Sequence, residues 1–385
     1  MIARLFTAAA VAGLFLGANQ LHARPAPANP IVFPGQFDSI GTPVQSLTTR
    51  EGRTVHFTDT AEVGWKSVLF LGGIGTSGRA PELVAFLDTM RKRLKLRIVS
   101  VERNGLGDTA FDPSWTVDDF NSEVGQVLGH LGIGKFALVA ISGGGGYAGH
   151  VVQARPGRIL SWHMLAAVSS AQANVELCRQ DEATFAAQLG PQVAAPRVWW
   201  EMPKDGVAAK VPGFTDQAAD EGARAFFIAG QKGDPRGVAR EYKRFCSPAA
   251  DVSALTAPAF FYYGEADPVV PRSHGQYWAR EVKGAVTFRS YPGEGHDVQY
   301  RHWDQVMLDI AGYGSSTLVC DAGWAHLVAG NVNPHQLAKV RTLGVCAWQT
   351  SKVRPAPAAR ASAPALLSTG QATVRSLSTL RSRRG

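Results

Sequence analysis

The sequence has only 4 cysteines in 385 residues, and 18% of its residues are charged. Four cysteines are too few for a fold held by disulfides alone. The low charge, set against 45% hydrophobic residues, excludes a disordered chain. No apolar run approaches the roughly 20 residues that a membrane-spanning helix requires. No internal repeat marks a solenoid or a fibre. What remains is enough apolar material for one large core or two modest ones.

Acidic residues are missing from both ends. Residues 351–385 carry Lys352, Arg354, Arg360, Arg375, Arg381, Arg383 and Arg384 with no acid, and residues 1–23 carry only Arg4. Removing those eight from the 39 bases leaves 31 against 31 acids in residues 24–350, so the net charge of +8 belongs to the ends. A neutral body gives no reason to expect a nucleic-acid partner. Inside it the one dense basic run, Arg91-Lys92-Arg93-Leu94-Lys95, is expected to be a solvated helix end, where cations suit the helix dipole.

Residues 1–23 read as a secretory signal peptide: Arg4, an apolar stretch from Leu5 to Ala18 too short to span, then Leu21-His22-Ala23. A Pro-rich leader follows over 24–42. Export would place Cys178, Cys246, Cys320 and Cys346 in an oxidising compartment, and an even count then suggests two disulfides. Of the three connectivities, Cys178–Cys246 and Cys320–Cys346 are expected. No integral membrane segment is expected, and the oligomeric state is left open.

From residue 43 the pattern becomes regular. Pro43–Thr49 and Arg53–Thr58 flank Arg50-Glu51-Gly52 as an antiparallel hairpin. Ser67–Leu71 is a strand that runs into Gly72-Gly73-Ile74-Gly75. A helix opened by Pro81 follows, striped by Leu83, Phe86, Leu87, Met90 and Leu94. Leu96–Val101 is the next strand, and Thr116 with Asp119 opens a further helix. Phe136–Ile141 is a continuous apolar strand ending at Ser142 and four glycines. A third helix ends near Arg155, and Ile159–Val168 is strand again. Strands alternating with helices predict an α/β fold, a mostly parallel central sheet with helices on both faces.

The rhythm breaks over 169–251, a stretch with helical patterning that reads as a mainly helical cap, and resumes at Ala259–Tyr263 and Val286–Tyr291. Residues 43–168 and 252–312 are thus two parts of one core. Residues 313–350 form a Cys-bracketed segment, and 351–385 a low-complexity basic tail expected to be disordered. Trp199, Trp200, Phe226 and Phe227 either line an apolar pocket or form the cap's own core. His326 and His335 lie between Cys320 and Cys346, but that spacing favours a simple disulfide, and no metal is expected.

Three features carry chemistry. Ala140-Ile141-Ser142-Gly143-Gly144 sits where a buried strand meets a helix, a turn tight enough to need small neighbours around a nucleophile. Gly143 there offers an N–H at a helix N-terminus, which favours a developing oxyanion. Asp267 lies just past a strand end, where a carboxylate can reach a histidine, though a turn residue would look the same. His296, in Gly293-Glu294-Gly295-His296, follows the last strand. His302 is expected on a helix surface. Asp267 follows Ser142 by 125 residues and His296 follows Asp267 by 29, the chain order of a known catalytic triad.

On these residues the chain resembles the α/β-hydrolase superfamily from about Pro43 to Gly312. The resemblance extends to the Gly72-Gly73 loop, similar to the family's His-Gly oxyanion loop, and to Glu102-Arg103-Asn104-Gly105-Leu106-Gly107, similar to its Gly-rich turn. It implies an oxyanion hole formed by the N–H groups of Ile74 and Gly143, with Gly72 standing where many members have His. Epoxide hydrolases and haloalkane dehalogenases of this fold use a carboxylate nucleophile, and Ser142 excludes that chemistry. The reading implied is an exported serine hydrolase that cleaves a small carboxylic ester without a cofactor. Alternatives on the same scaffold are an aminopeptidase or amidase using Glu176, Asp181, Glu182 or Glu201, and a cofactor-free lyase using Lys204, Lys210, Lys232 or Lys243. A non-catalytic binding protein is the alternative of a different class.

Overall fold

Strand-forming runs that are apolar at every position must be covered on both faces, and that requirement shapes the whole structure. The computed structural model describes residues 41–169, 178–194, 234–296, 298–321, 324–337 and 341–344. The expected signal peptide, nearly all of the Pro-rich leader, the basic tail, and Trp199, Trp200, Phe226 and Phe227 lie outside the described residues.

Eight strands form the central sheet: β1 Val44–Thr48, β2 Thr54–Asp59, β3 Lys66–Leu71, β4 Leu96–Val101, β5 Phe136–Ile141, β6 Ile159–Leu165, β7 Ala259–Gly264 and β8 Val286–Tyr291. Their order is β1-β2-β4-β3-β5-β6-β7-β8. The hairpin β1–β2 joins β4 antiparallel, and every pairing from β4 to β8 is parallel. Neighbouring residues of β3 feed opposite sides of the sheet. Leu69 and Leu71 pack with Phe120, Val124 and Tyr147, while Val68 and Phe70 pack with Val84, Trp303 and Val306. The chain leaves β3 for β4 on one side and then crosses to β5 on the other. The loops after β3 and β5 therefore splay apart at a topological switch point, where α/β sheets bind their ligands.

The helices follow from their caps and stripes. Thr116 and Asp119 close a reciprocal capping box on the helix Val117–His130, whose Phe120, Val124, Val127 and Leu128 are buried. The segment expected as one helix from Pro81 is a 3-10 helix over Ala80–Leu87 and then a short α-helix over Asp88–Arg93. The basic run at its end is only partly solvated. Lys92 and Arg93 are exposed, but Arg91 is buried, with Nε 2.7 Å from Asp88 and Nη2 2.8 Å from Glu62. Two carboxylates and the Leu96 carbonyl supply enough partners to take one cation of the run out of water.

Between β6 and β7 the described residues include two helices, Glu182–Ala194 and Pro235–Arg244. Ala186 and Leu189 meet Val238, Ala239, Tyr242 and Phe245 in a small core that also holds Leu106. A Cys178–Cys246 disulfide closes this pair of helices. Cys320 is disulfide-bonded as well, and Cys346, its expected partner, lies outside the described residues. Beyond the central sheet, β9 Ser316–Asp321, β10 Trp324–Ala329 and β11 Arg341–Leu343 form an antiparallel sheet in the order β10-β9-β11, in a segment for which no strands were expected. Replacing Cys178 and Cys246 together by alanine is expected to destabilise the protein by about 4 kcal/mol, the loop entropy of a closure spanning 68 residues. Urea unfolding of the variant against wild type measures it, and an unchanged midpoint refutes the estimate.

Two buried histidines, His163 and His274, and the half-buried His150 set the acid sensitivity of this core. Burial lowers His163 to about 3 and His274 to about 4, and burial with the nearby Arg244 charge lowers His150 to about 4. Each is neutral in the folded chain and gains a proton on unfolding below its free value of about 6.5. Their stabilisation is complete above that pH and drains away as pH falls toward 4. For His163 the loss at pH 4.5 is on the order of 2–3 kcal/mol. Glu123 works the opposite way. Its burial raises the carboxyl to about 7, so its cost is present above that pH and is relieved in acid. Wild type is expected to unfold at lower urea at pH 4.5 than at pH 7, and Glu123→Gln to lose stability more steeply. Equal stability at the two pH values would contradict this.

Candidate active site

Ser142 leaves β5 in a left-handed backbone conformation, φ 47°, which a residue with a Cβ adopts only under strain. The turn is locked on both sides: the Ser142 N–H donates to Leu165 O at 3.1 Å, and Ser142 O accepts from the N–H groups of Val168 and Gly145. The glycines that follow make the closeness possible. A Cβ on Gly144 would lie 2.5 Å from Leu71 O, and one on Gly145 would collide with Val168 O. Ala140 is fully buried and its methyl is part of the core. The helix Gly144–Ala154 then starts directly behind the serine, with Gly143 as its N-cap.

His296 stands in the loop after β8, with Nε2 3.0 Å from Ser142 Oγ and Nδ1 2.9 Å from Asp267 Oδ2. Asp267 follows β7, and its side chain is fully out of solvent. Its second oxygen accepts the N–H groups of Val269 at 2.8 Å and Val270 at 2.9 Å. The turn-residue role and the histidine-partner role thus coexist in one carboxylate, one oxygen each.

The loop after β3 runs over the serine. A Cβ on Gly73 would stand 3.3 Å from Ser142 Cβ, and one on Gly143 would lie 3.1 Å from the Ile74 nitrogen. The two expected oxyanion donors, Ile74 N–H and Gly143 N–H, are therefore neighbours beside Ser142, and neither has an acceptor among the described residues. Gly72 cannot carry a side chain, because a Cβ there would collide with Thr76 Oγ1. Thr76 Oγ1 instead donates to Gly73 O at 2.8 Å.

His302 is not on the surface. It is buried, with Nε2 2.7 Å from Glu294 Oε2 and its ring stacked 3.7 Å from that of Tyr291. Position in a helical stripe could not show this, since the residues that cover it come from β8 and the loop before His296. Asp181 is tied to Thr184 and Glu182 to Arg240, and Lys243 donates to the carbonyls of Cys178 and Gln180. Glu176, Glu201, Lys204, Lys210 and Lys232 lie outside the described residues. Among the described residues no three His, Cys, Asp or Glu side chains converge as metal ligands. His326 is exposed on β10, and His335 lies 3.3 Å from Glu265.

Two buried charges at the site escaped the sequence reading. Arg103 and Glu241 form an ion pair against the loop after β3, 138 residues apart in the chain. Arg103 lies in the Gly-rich turn already singled out, so its motif carried a signal. Glu241 sits in a helix dense with Arg236, Arg240, Lys243 and Arg244, and nothing local separates it from a solvated face.

Residues 68–310, more than half of the chain, match the alpha/beta hydrolase family. The chain belongs to that family. Several solved structures share this alpha/beta hydrolase fold at low identity. An esterase from Exiguobacterium antarcticum is 12% identical with a TM-score of 0.55, over 70% of this chain and 98% of its own. One of the carboxylesterases of Nitrososphaera gargenis is 16% identical with a TM-score of 0.53, over 69% and 98%. An epoxide hydrolase from metagenomes of hot environments is 16% identical with a TM-score of 0.50, over 71% and 98%. No curated protein matches the chain significantly. At such identities the likeness carries the fold and not the reaction.

Proposed function

We propose that this alpha/beta hydrolase is an exported serine hydrolase acting on a small carboxylic ester. The observation that carries the reading is the relay Ser142–His296–Asp267, with hydrogen bonds of 3.0 Å and 2.9 Å at the switch point of the sheet. His296 Nε2 takes the Ser142 proton as Oγ attacks the substrate carbonyl. Asp267 holds the imidazole with its proton on Nδ1 and stabilises the imidazolium that forms. The Ile74 and Gly143 N–H groups receive the oxyanion. His296 then protonates the departing alcohol, and water releases the acyl group by the reverse sequence.

Export rests on the sequence of residues 1–23, with the Cys178–Cys246 disulfide in keeping with an oxidising compartment. No cofactor enters the scheme. Trp199, Trp200, Phe226 and Phe227 would supply the apolar side of the substrate site if the segment 169–251 closes over it as a cap. The test is a panel of p-nitrophenyl esters and p-nitroanilides with the mature protein, together with labelling by a fluorophosphonate. Ester turnover and a modified Ser142 support the proposal. Faster anilide turnover points to the amidase alternative, and no turnover with no labelling points to a binding protein.

A further inference from the structure

The loop that bears the Ile74 N–H is held in place from outside itself. Arg103, in the turn after β4, donates Nη2 to Gly73 O at 2.6 Å and Nη1 to Gly72 O at 3.2 Å. Glu241, on the helix Pro235–Arg244, accepts the Gly75 N–H at 2.6 Å. The two side chains are ion-paired through Arg103 Nε and Glu241 Oε1, and they are only 3% and 2% exposed.

Gly73 O and Ile74 N belong to one planar peptide group. A bond that fixes the carbonyl therefore fixes the direction of the N–H on its opposite side. The next peptide group contains Gly75 N–H, which Glu241 holds. The Ile74 N–H thus belongs to one of two successive peptides clamped by a single ion pair. A hydrogen bond to the carbonyl also polarises the peptide and makes its N–H a better donor.

Stability alone gives little reason for this pair. Two well-packed apolar side chains in place of a buried ion pair are often neutral or stabilising. Burial works against the Arg103 charge, and the Glu241 carboxylate outweighs it, holding the guanidinium above its ordinary pKa. The helix that carries Glu241 has little freedom to drift. A Cβ on Gly237 would lie 2.5 Å from Gly105 O, and Cys246 just beyond the helix is tied to Cys178.

We propose that Arg103 and Glu241 are positioning residues for oxyanion binding, aiming the Ile74 N–H in the role that a loop side chain at Gly72 cannot fill; this rests on the serine-hydrolase reading. The pair also couples the segment between β6 and β7 to the chemistry, because a shift of the helix Pro235–Arg244 would release Gly75.

The test uses the double variant Arg103→Met/Glu241→Leu, which leaves no lone buried charge, and Glu241→Gln, which keeps the shape. Removing one oxyanion donor outright costs about 10²–10³ in kcat. Misaiming one is expected to cost the double variant about 10–100-fold in kcat, with KM within about threefold. Affinity for a trifluoromethyl ketone, which mimics the tetrahedral intermediate, is expected to fall in parallel with kcat/KM. Glu241→Gln is expected to show the same split at smaller size, since its amide oxygen can still accept the Gly75 N–H, and it carries the test should the double variant not fold. A purely structural role would lower Tm without that split. Variants with wild-type kcat and unchanged ketone affinity would overturn the proposal while leaving the hydrolase reading intact. A wild-type protein inert to esters and to fluorophosphonate would instead remove the reading beneath it.

Discussion

Ser142→Ala is expected to lower kcat by roughly 10⁴–10⁶ while Tm stays close to wild type. The substitution removes one oxygen from the top of the turn and opens no core cavity. His296 loses its partner on Nε2 but keeps Asp267 on Nδ1. Ser142→Gly sharpens the argument. Glycine is at ease at a φ of 47°, so that variant is expected to gain up to about 1 kcal/mol over alanine while being equally inactive. A protein that becomes more stable as it loses its chemistry is holding strain for function. His296→Ala is expected to cost about as much as Ser142→Ala, and the double variant scarcely more, because the two act as one unit. Labelling followed by peptide mapping closes the test. A fluorophosphonate found on another serine, or near-wild-type turnover in Ser142→Ala, would end the proposed mechanism.

The residues at the site differ in how far the sequence alone could expose them. Ser142 and the glycines after it are legible because a strained strand-to-helix turn restricts what can stand within two residues of it. Asp267 and His296 become legible only as a pair, since each alone passes for an ordinary loop residue, and their order along the chain makes them a candidate. The parallel sheet is legible for a similar reason: β3 through β6 are apolar runs that alternate with helical segments, and that alternation has few solutions. Partnerships made across the fold leave no such trace. Arg91, His302 and Glu241 lie in stretches that look solvated, and what buries them comes from Glu62, from Tyr291 and from Arg103. A charged residue's burial is decided by a partner that can stand anywhere in the chain, so neither periodicity nor composition can show it. The second sheet, β9–β11, was hidden for another reason. Its strand β10, Trp324–Ala329, is exposed along nearly all its length and so lacks the alternation that marks a half-buried strand.

Asp267→Asn separates a turn residue from the third member of a relay. Asparagine is among the best replacements for a turn aspartate, so a purely structural Asp267 predicts a near-neutral change. The geometry predicts otherwise. One side-chain oxygen at this position accepts from the N–H groups of Val269 and Val270, and only an oxygen can do so. An asparagine must therefore place its carbonyl there and turn its NH₂ toward His296 Nδ1. That nitrogen would then have to be the acceptor, which puts the imidazole proton on Nε2, facing Ser142 Oγ. The base would hold a proton where it needs a lone pair. All the local hydrogen bonds survive, so Tm is expected to stay within a few degrees of wild type while kcat falls about 10³–10⁴-fold. Steady-state kinetics on a p-nitrophenyl ester, read beside a thermal melt, measure both. A variant that keeps more than about a tenth of wild-type kcat would show that Asp267 does no more than close its turn.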